Sequence, residues 1–341
     1  MTIRASHYLG NRTFRTEPAA MPIAAGGEAL LRVRRVGICG SDLHIFQGHL
    51  DHRVPKRGII GHEVFAQVVT APAGSGFSEG DRVVVEPVLY CRTCRACRMG
   101  ASYLCYHLKV LGVDATGGMQ DYWAVPVDRL LKVPDSLSDD DAALIEPLAV
   151  AAHDVARAKL KTGDRVVVFG GGPIGCLIAL VCRERGAELK IAEINPYRIE
   201  ILKGLGLDTI GPEQGDLLRT VLDWTGGEGA DMSFEVSGNP DAVRLATEVV
   251  RVWGTVNVIA IHSEPVPVSL YSVFARELTI LGSRLYTRAA WEESIRLAST
   301  GAVNVSPLVT RRIAIEDLQR GMEEALGGGP VMKVLIDMDK T

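Results

Sequence analysis

No tract of Lys and Arg stands anywhere in this sequence, and 37 basic residues are balanced by 41 acidic ones for a net charge of -4. That balance offers no broad attraction to nucleic acid or to an anionic lipid surface. Long apolar runs are missing as well: each is broken by Gly, Arg or Glu well before membrane-spanning length, and the opening MTIRASHYLGNRTF lacks the apolar core of a signal peptide. The chain therefore reads as cytoplasmic, with small molecules as partners and neither nucleic acid nor membrane among them. Cysteine is scarce, seven in 341 residues, too few and too unevenly spread for a disulfide framework. Yet four of the seven fall between Cys91 and Cys105, and clustering of that kind points to metal.

What is present is ordinary in bulk. A hydrophobic share of 47% and a charged share of 23% are those of a folded soluble protein, and the length favours two domains over one enlarged core. From about residue 28 to 135 the chain reads as short β segments, EALLRVRRVG, HEVFAQVVTA and DRVVVEP, punctuated by Gly and Pro. From about 148 strand and helix alternate: DRVVVFGGG, the apolar helical run PIGCLIALVCRERG, then LKIAEI. Further strands are expected at MSFEVSG, GTVNVIAI and ELTILGS, with a helix over DAVRLATEVVRV, which together predict a sheet of about six parallel strands. After Ser283 a helix WEESIRLASTG, an extended PLVTRRI, a helix EDLQRGMEEALGG and a strand VMKVLIDM are expected to return to the first module.

Three groups of residues carry chemistry. Cys91, Cys94, Cys97 and Cys105 in CRTCRACRMGASYLC supply four thiolates, which close a tetrahedral zinc to water and mark a structural site; two disulfides or an iron–sulfur cluster would use the same residues. The loop Gly170, Gly172, Pro173, Ile174 and Gly175 matches G-x-G-x-x-G between a strand and a helix, where backbone N–H groups cradle a pyrophosphate. Glu193, at the end of the next strand, stands where a carboxylate binds the adenosine ribose and repels a 2′-phosphate, favouring NAD, with Arg198 placed beside the adenine. The third group is dispersed: Cys39, Ser41, Asp42 and His44 in CGSDLH, His62 and Glu63 in GHE, and Glu146 in ALIEPLAVAAH. Singly, each reads equally well as a buried thiol, a core histidine, a solvated acid or a helix cap.

Taken with GDRV, GVDATGGMQDYWAVP and EVSG in this order, these pieces resemble the zinc-containing medium-chain dehydrogenase/reductase (alcohol dehydrogenase) family, in its polyol (sorbitol-like), butanediol and threonine dehydrogenase branch. The resemblance covers essentially the whole length. It implies an α/β protein: a GroES-like, mostly β catalytic domain from 1–148 and 282–341, with a structural zinc lobe at about 88–108, and a doubly wound Rossmann NAD-binding domain over 149–281, with the active cleft between them. It implies Cys39, His62 and Glu63 as ligands of a catalytic zinc, with Glu146 either a fourth ligand or the partner of a zinc-bound water. Ser41 matches the position that first takes the alcohol proton, and His44 the one that passes it on through the cofactor ribose. Ser237 of EVSG joins the cofactor set.

Two zinc ions per chain and NAD follow from the resemblance, as does oxidation of a secondary alcohol to a ketone. So does a homo-oligomer, tetramer or dimer, built at the ELTILGS region. Where threonine dehydrogenases carry FDPFGNAVH this chain has IEPLAVAAH, which tilts the expectation to a polyol, sugar or sugar acid, with L-threonine and butanediol as alternatives. His49, His52, Arg284 and Tyr286 read as substrate-pocket residues or, equally, as surface or interface positions. A non-catalytic, zinc-stabilised binding protein is the rival of another class, disfavoured because every residue the reaction needs is present.

Overall fold

The computed structural model describes residues 2–262 and 264–340. It divides into two compact units, one of residues 1–146 and 295–341, the other of residues 147–294. The second dividing point lies beyond the boundary at 281 expected from the sequence. The reason is local: Tyr286 packs edge-on against Trp291 at 5.1 Å, and Arg185 pairs with Glu293 at 2.9 Å, which ties residues 286–293 to the 147–294 unit. No helix among the described residues is long and apolar enough to cross a membrane.

The first unit is built on a seven-stranded sheet in the order Val309–Ile313, Lys333–Asp337, Glu28–Gly37, Glu63–Thr70, Arg82–Val85 and Leu130–Lys132, with Tyr122–Pro126 also paired to Glu28–Gly37. All pairings are antiparallel except the first. Along Glu28–Gly37 the side chains of Ala29, Leu31 and Val33 point inward in the two-residue period of a half-buried strand. A register shift between Val33 and Arg35 then changes phase and buries Val36 and Gly37 instead. Leu31, Val36, Val64, Val83, Trp123 and Ile336 share one core. The C-terminal strand Lys333–Asp337 lies against Glu28–Gly37, so the last segment does return to the first module.

The second unit is a six-stranded parallel sheet whose strands are, in chain order, β1 (Arg165–Phe169), β2 (Glu188–Ala192), β3 (Thr209–Ile210), β4 (Ala230–Glu235), β5 (Val250–Val258) and β6 (Thr279–Gly282). Their spatial order is β3-β2-β1-β4-β5-β6, the doubly wound arrangement with its switch point between β1 and β4. Val166 to Phe169 are all buried, the continuous apolar run of a parallel strand covered on both faces. Helix Pro173–Glu184 starts with Pro at its first turn and buries every residue from Gly175 to Cys182. One expected boundary moves: the helix read over DAVRLATEVVRV stops at Glu248, and β5 begins at Val250 rather than at Gly254. The β-branched Val249 and Val250 favour extended backbone, and pairing of Val250 with Ala230 outweighs the helical spacing.

Helix Ile145–Ala158 carries a buried acid without compensation. Asp154 is fully buried and neither carboxylate oxygen has a hydrogen-bond partner among the described residues; only its main-chain carbonyl is used, accepting from Asn257 Nδ2 at 3.1 Å. Burial alone holds its pKa well above the ordinary carboxylate value. An acid raised in the folded state binds more protons there than in the unfolded chain, so stability declines as pH climbs from the unfolded pKa of about 3.9 towards the folded value. Asp154→Asn should therefore flatten the decline of melting temperature as pH rises above about 4 and raise it at the alkaline end. A melting temperature lowered equally at every pH in this variant would contradict the assignment.

Candidate metal centres and cofactor site

Strand Glu28–Gly37 delivers Cys39 to the start of the short helix Gly40–Phe46. There Asp42, fully buried, accepts the Cys39 N–H at 2.9 Å and so caps the helix from within its first turn. His62 and Glu63 arrive at the beginning of the neighbouring strand, in which Glu63 pairs directly with Gly37. That glycine is a steric requirement: a Cβ on Gly37 would lie 1.9 Å from Glu63 Oε2. Cys39, His62 and Glu63 each offer one ligand atom, all within 4.8 Å of one another. His62 Nε2 lies 3.3 Å from Ser41 Oγ, and its Nδ1 is 3.5 Å from Asp42 Oδ1.

The electrostatics of this cluster suit a cation. Among the described residues His62 Nδ1, Asp42 Oδ1 and Glu63 Oε1 are buried without a hydrogen bond, and Glu63 Oε2 meets an ammonium, that of Lys333. Burial pulls the His62 pKa down, but the negative charges of Asp42 and Cys39 outweigh it and hold the imidazole well above its ordinary value. A thiolate, an imidazole and a carboxylate are a zinc donor set that leaves a coordination position open. Glu146 is also buried, in the first turn of helix Ile145–Ala158, but stands outside the 4.8 Å cluster.

One member of this site escapes sequence reasoning. Lys333, first residue of the strand Lys333–Asp337, is buried, forms an ion pair with Glu63 and donates from Nζ to the Ile38 carbonyl at 2.9 Å. Burial lowers its pKa, but Glu63, Cys39 and Glu146 together raise it, so the ammonium stays charged. The available signal was a lone lysine inside the apolar run VMKVLIDM.

The four-cysteine lobe is separate. Cys94 Sγ lies 3.5 Å from Cys97 Sγ and 3.8 Å from Cys105 Sγ, and all four sulfurs fall within 4.8 Å of one another. Such spacings are far beyond a disulfide, and they match the roughly 3.8 Å edge of a tetrahedron with ~2.3 Å zinc–sulfur bonds. The Thr93 hydroxyl and the backbone N–H groups of Thr93 and Cys94 pull Cys91 down to about 5, into the thiolate form a metal takes.

In the second unit Gly170, at φ 101°, turns the chain off β1, and Gly172 caps helix Pro173–Glu184 without any side-chain hydrogen bond, leaving the first-turn N–H groups open to an anion. A Cβ on Gly175 would meet Gly170 O at 1.8 Å, so close helix–strand packing demands glycine there. Pro173 and Ile174 form the first turn of that helix. Glu193 Oε2 accepts the Gly171 N–H at 2.8 Å, and its Oε1 accepts those of Ile194 and Asn195 at 2.7 and 2.8 Å. Arg198 sits 3.9 Å from the same carboxylate and 3.5 Å from where a Cβ on Gly172 would be. Ser237 donates both its N–H and its hydroxyl to Glu235, at 2.9 and 2.6 Å, and backs onto Gly170.

The relay residues are arranged less simply. Ser41 reaches His62, whereas His44 Nδ1 lies 3.2 Å from His49 Nδ1, and among the described residues no hydrogen bond joins Ser41 to His44 directly. Burial first, and then the charge of His49, lower the His44 pKa, which keeps its ring neutral at neutral pH. Of the other expected pocket residues, His52 and Arg284 are exposed and Tyr286 is buried against Trp291.

The family model described as the alcohol dehydrogenase GroES-like domain matches residues 25–135, and that described as the zinc-binding dehydrogenase matches residues 173–300. The chain is 37% identical over 334 residues to the 2-dehydro-3-deoxy-L-galactonate 5-dehydrogenase of Pseudoalteromonas atlantica, covering 98% of each. It is 31% identical over 328 residues to the L-threonine 3-dehydrogenase of Shewanella baltica, covering 94% of this chain and 95% of that one. Among solved structures it resembles 2R,3R-butanediol dehydrogenase from Bacillus subtilis, with a TM-score of 0.90 at 29% identity over 98% of this chain and 99% of that one. Two further structures carry cofactor: a zinc-binding dehydrogenase from Sinorhizobium meliloti bound to NADP (TM-score 0.92, 25% identity, 99% of each chain) and an alcohol dehydrogenase from Escherichia coli with NADH (0.91, 26%, 99% of each).

Lys333→Met removes the cation that, among the described residues, pairs with Glu63 and should destabilise chelator-treated protein by about 3–5 kcal/mol, the usual cost of orphaning a buried charge. Zinc-loaded protein should lose clearly less, because the metal then compensates the same carboxylate. Urea melts of both forms measure the difference, and equal losses would remove Glu63 from the metal's reach.

Proposed function

Because the chain belongs to the zinc-containing medium-chain alcohol dehydrogenase family and works with a nicotinamide cofactor, we propose that it oxidises a secondary hydroxyl of a polyol, sugar or sugar acid to the ketone, with NAD taking the hydride. The observation that carries this reading is the Cys39–His62–Glu63 cluster, its thiol half-buried and its imidazole and carboxylate buried. When bound there, zinc supplies the Lewis acidity that eases a proton off a hydroxyl, and the nicotinamide supplies the hydride acceptor.

The rest is the work of side chains. Cys39, His62 and Glu63 hold the metal, with Glu146 either a fourth ligand or the partner of a metal-bound water. Ser41 takes the hydroxyl proton at Oγ, and the neutral His44, paired with the exposed His49, carries it towards solvent. Cys91, Cys94, Cys97 and Cys105 hold a second, structural zinc. At the loop of Gly170, Gly172 and Gly175 the first-turn N–H groups of Ile174 and Gly175 take the pyrophosphate. Glu193 is aimed by three backbone N–H groups and keeps lone pairs for the ribose hydroxyls, while its buried charge opposes a 2′-phosphate and occupies Arg198. Arg198 then lies against the adenine.

The sugar-acid reading is favoured over L-threonine by the higher identity to the galactonate-type enzyme, 37% against 31%, and by IEPLAVAAH in place of the threonine-type segment. The working place is the cytoplasm and the working form a homo-oligomer. Its support is β6, an edge strand paired only to β5, beside helix Leu270–Arg276, where Leu270, Tyr271 and Phe274 are 75%, 77% and 78% exposed. A second copy of the same edge would satisfy both the open strand and the apolar residues.

Metal analysis should find two zinc ions per chain, falling to one in Cys39→Ala with loss of turnover, and to one in Cys97→Ser with a lowered melting temperature. NADH formation followed by absorbance should be fastest on sugar acids or polyols in a panel that also holds L-threonine and butanediol; activity with NADP alone would overturn the role given to Glu193. Light scattering should show a multimer that Tyr271→Asp with Phe274→Asp reduces to a smaller species, and a monomeric parent protein would remove the oligomer from this proposal.

A further inference from the structure

Glu235, the last residue of β4, is fully buried, yet every acceptor position it uses is on one side of the sheet's carboxyl edge. Its Oε1 accepts the Ser237 N–H, the Ser237 hydroxyl and the Gly238 N–H at 2.9, 2.6 and 3.0 Å. Its Oε2 lies 2.9 Å from Nε2 of His262, a residue beyond the end of the adjacent strand β5. The backbone enforces that meeting, because Ile259 and Ala260 both donate their N–H groups to the Glu235 carbonyl, at 2.9 and 3.2 Å, which folds the chain leaving β5 across the end of β4.

Two N–H groups and one hydroxyl converge on Oε1 of this buried carboxylate, so Glu235 serves as an acceptor. His262 therefore presents Nε2–H to it, which leaves Nδ1 as the lone-pair nitrogen of the ring. Among the described residues no protein group pairs with Nδ1, and the side chain keeps 16% of its surface open. The result is a tautomer-locked acceptor at the carboxyl edge of β4 and β5.

The position of that acceptor decides what it meets. Glu193 at the end of β2 marks the adenosine side of the sheet, and the glycine loop after β1 marks the pyrophosphate. A dinucleotide crossing the switch point between β1 and β4 brings its nicotinamide half to the ends of β4 and β5. The N–H donor on that half is the carboxamide amine. We propose that His262, held by Glu235, is a positioning residue that accepts a hydrogen bond from the nicotinamide carboxamide and so fixes the rotation of the ring. This rests on the cofactor reading above.

Binding of three probes to the zinc-loaded protein tests it by calorimetry: NADH, the reduced 3-acetylpyridine analogue, whose acetyl group has no N–H, and ADP-ribose, which has no nicotinamide. His262→Ala should weaken NADH about tenfold, the scale of one hydrogen bond, while leaving the analogue and ADP-ribose unchanged. His262→Asn, whose side-chain oxygen can accept the same bond, should restore much of the loss. Unchanged NADH binding in His262→Ala, or an equal loss for all three probes, would overturn the assignment; the second result would mean that the histidine only supports the loop. Failure of the parent protein to bind ADP-ribose would instead sink the cofactor reading, and this inference with it.

Discussion

A carboxylate withdrawn from water must find a cation or several N–H donors, or else give up its charge. Much of this molecule's chemistry follows from how it meets that constraint. Glu63 is met by the ammonium of Lys333 and, in the proposed holoenzyme, by zinc. Glu193 is met by three backbone N–H groups with Arg198 close by. Glu235 is met by Ser237, Gly238 and His262. Asp154 meets none among the described residues, and burial alone raises its pKa. The acids with compensation sit at the metal cluster or at the carboxyl edge of the parallel sheet. The one without it lies mid-helix.

Cation supply also separates the two candidate metal centres. The cysteine lobe draws all four donors from one stretch of fifteen residues, Cys91 to Cys105, with sulfurs held at tetrahedral spacing by short-range hydrogen bonds. The other cluster collects its donors from a helix cap and the start of one strand, and adds a lysine from the far end of the chain. A local, all-thiolate cage excludes further ligands, whereas a cage assembled from distant parts keeps one position open and can bear a charge-tuning neighbour.

The same contrast explains what could be read before the structure was known. The four cysteines and the glycine loop were legible because their chemistry lies in local spacing, and the parallel sheet because its strands are continuous apolar runs such as RVVVF. Lys333 was not, since the carbonyl it bonds lies 295 residues away and no local pattern encodes the pairing. The helix read through Val252 ended at Glu248 because strand pairing to Ala230 is a non-local term. The pairing of His44 with His49, set by the turn after helix Gly40–Phe46, was not read from the sequence either. His262 stayed unnoticed because its meaning depends on Glu235, in a different strand.

The contact between Gly37 and Glu63 has an evolutionary side. The carboxylate fills the volume that any side chain at position 37 would need, and its charge is what keeps Lys333 soluble inside the fold. A lineage that exchanged Glu63 for a neutral ligand would open a void beside Gly37 and strand a buried ammonium in one step. Glycine, acid and lysine thus form a single heritable unit scattered over three strands, and drift at any one of them is gated by the other two.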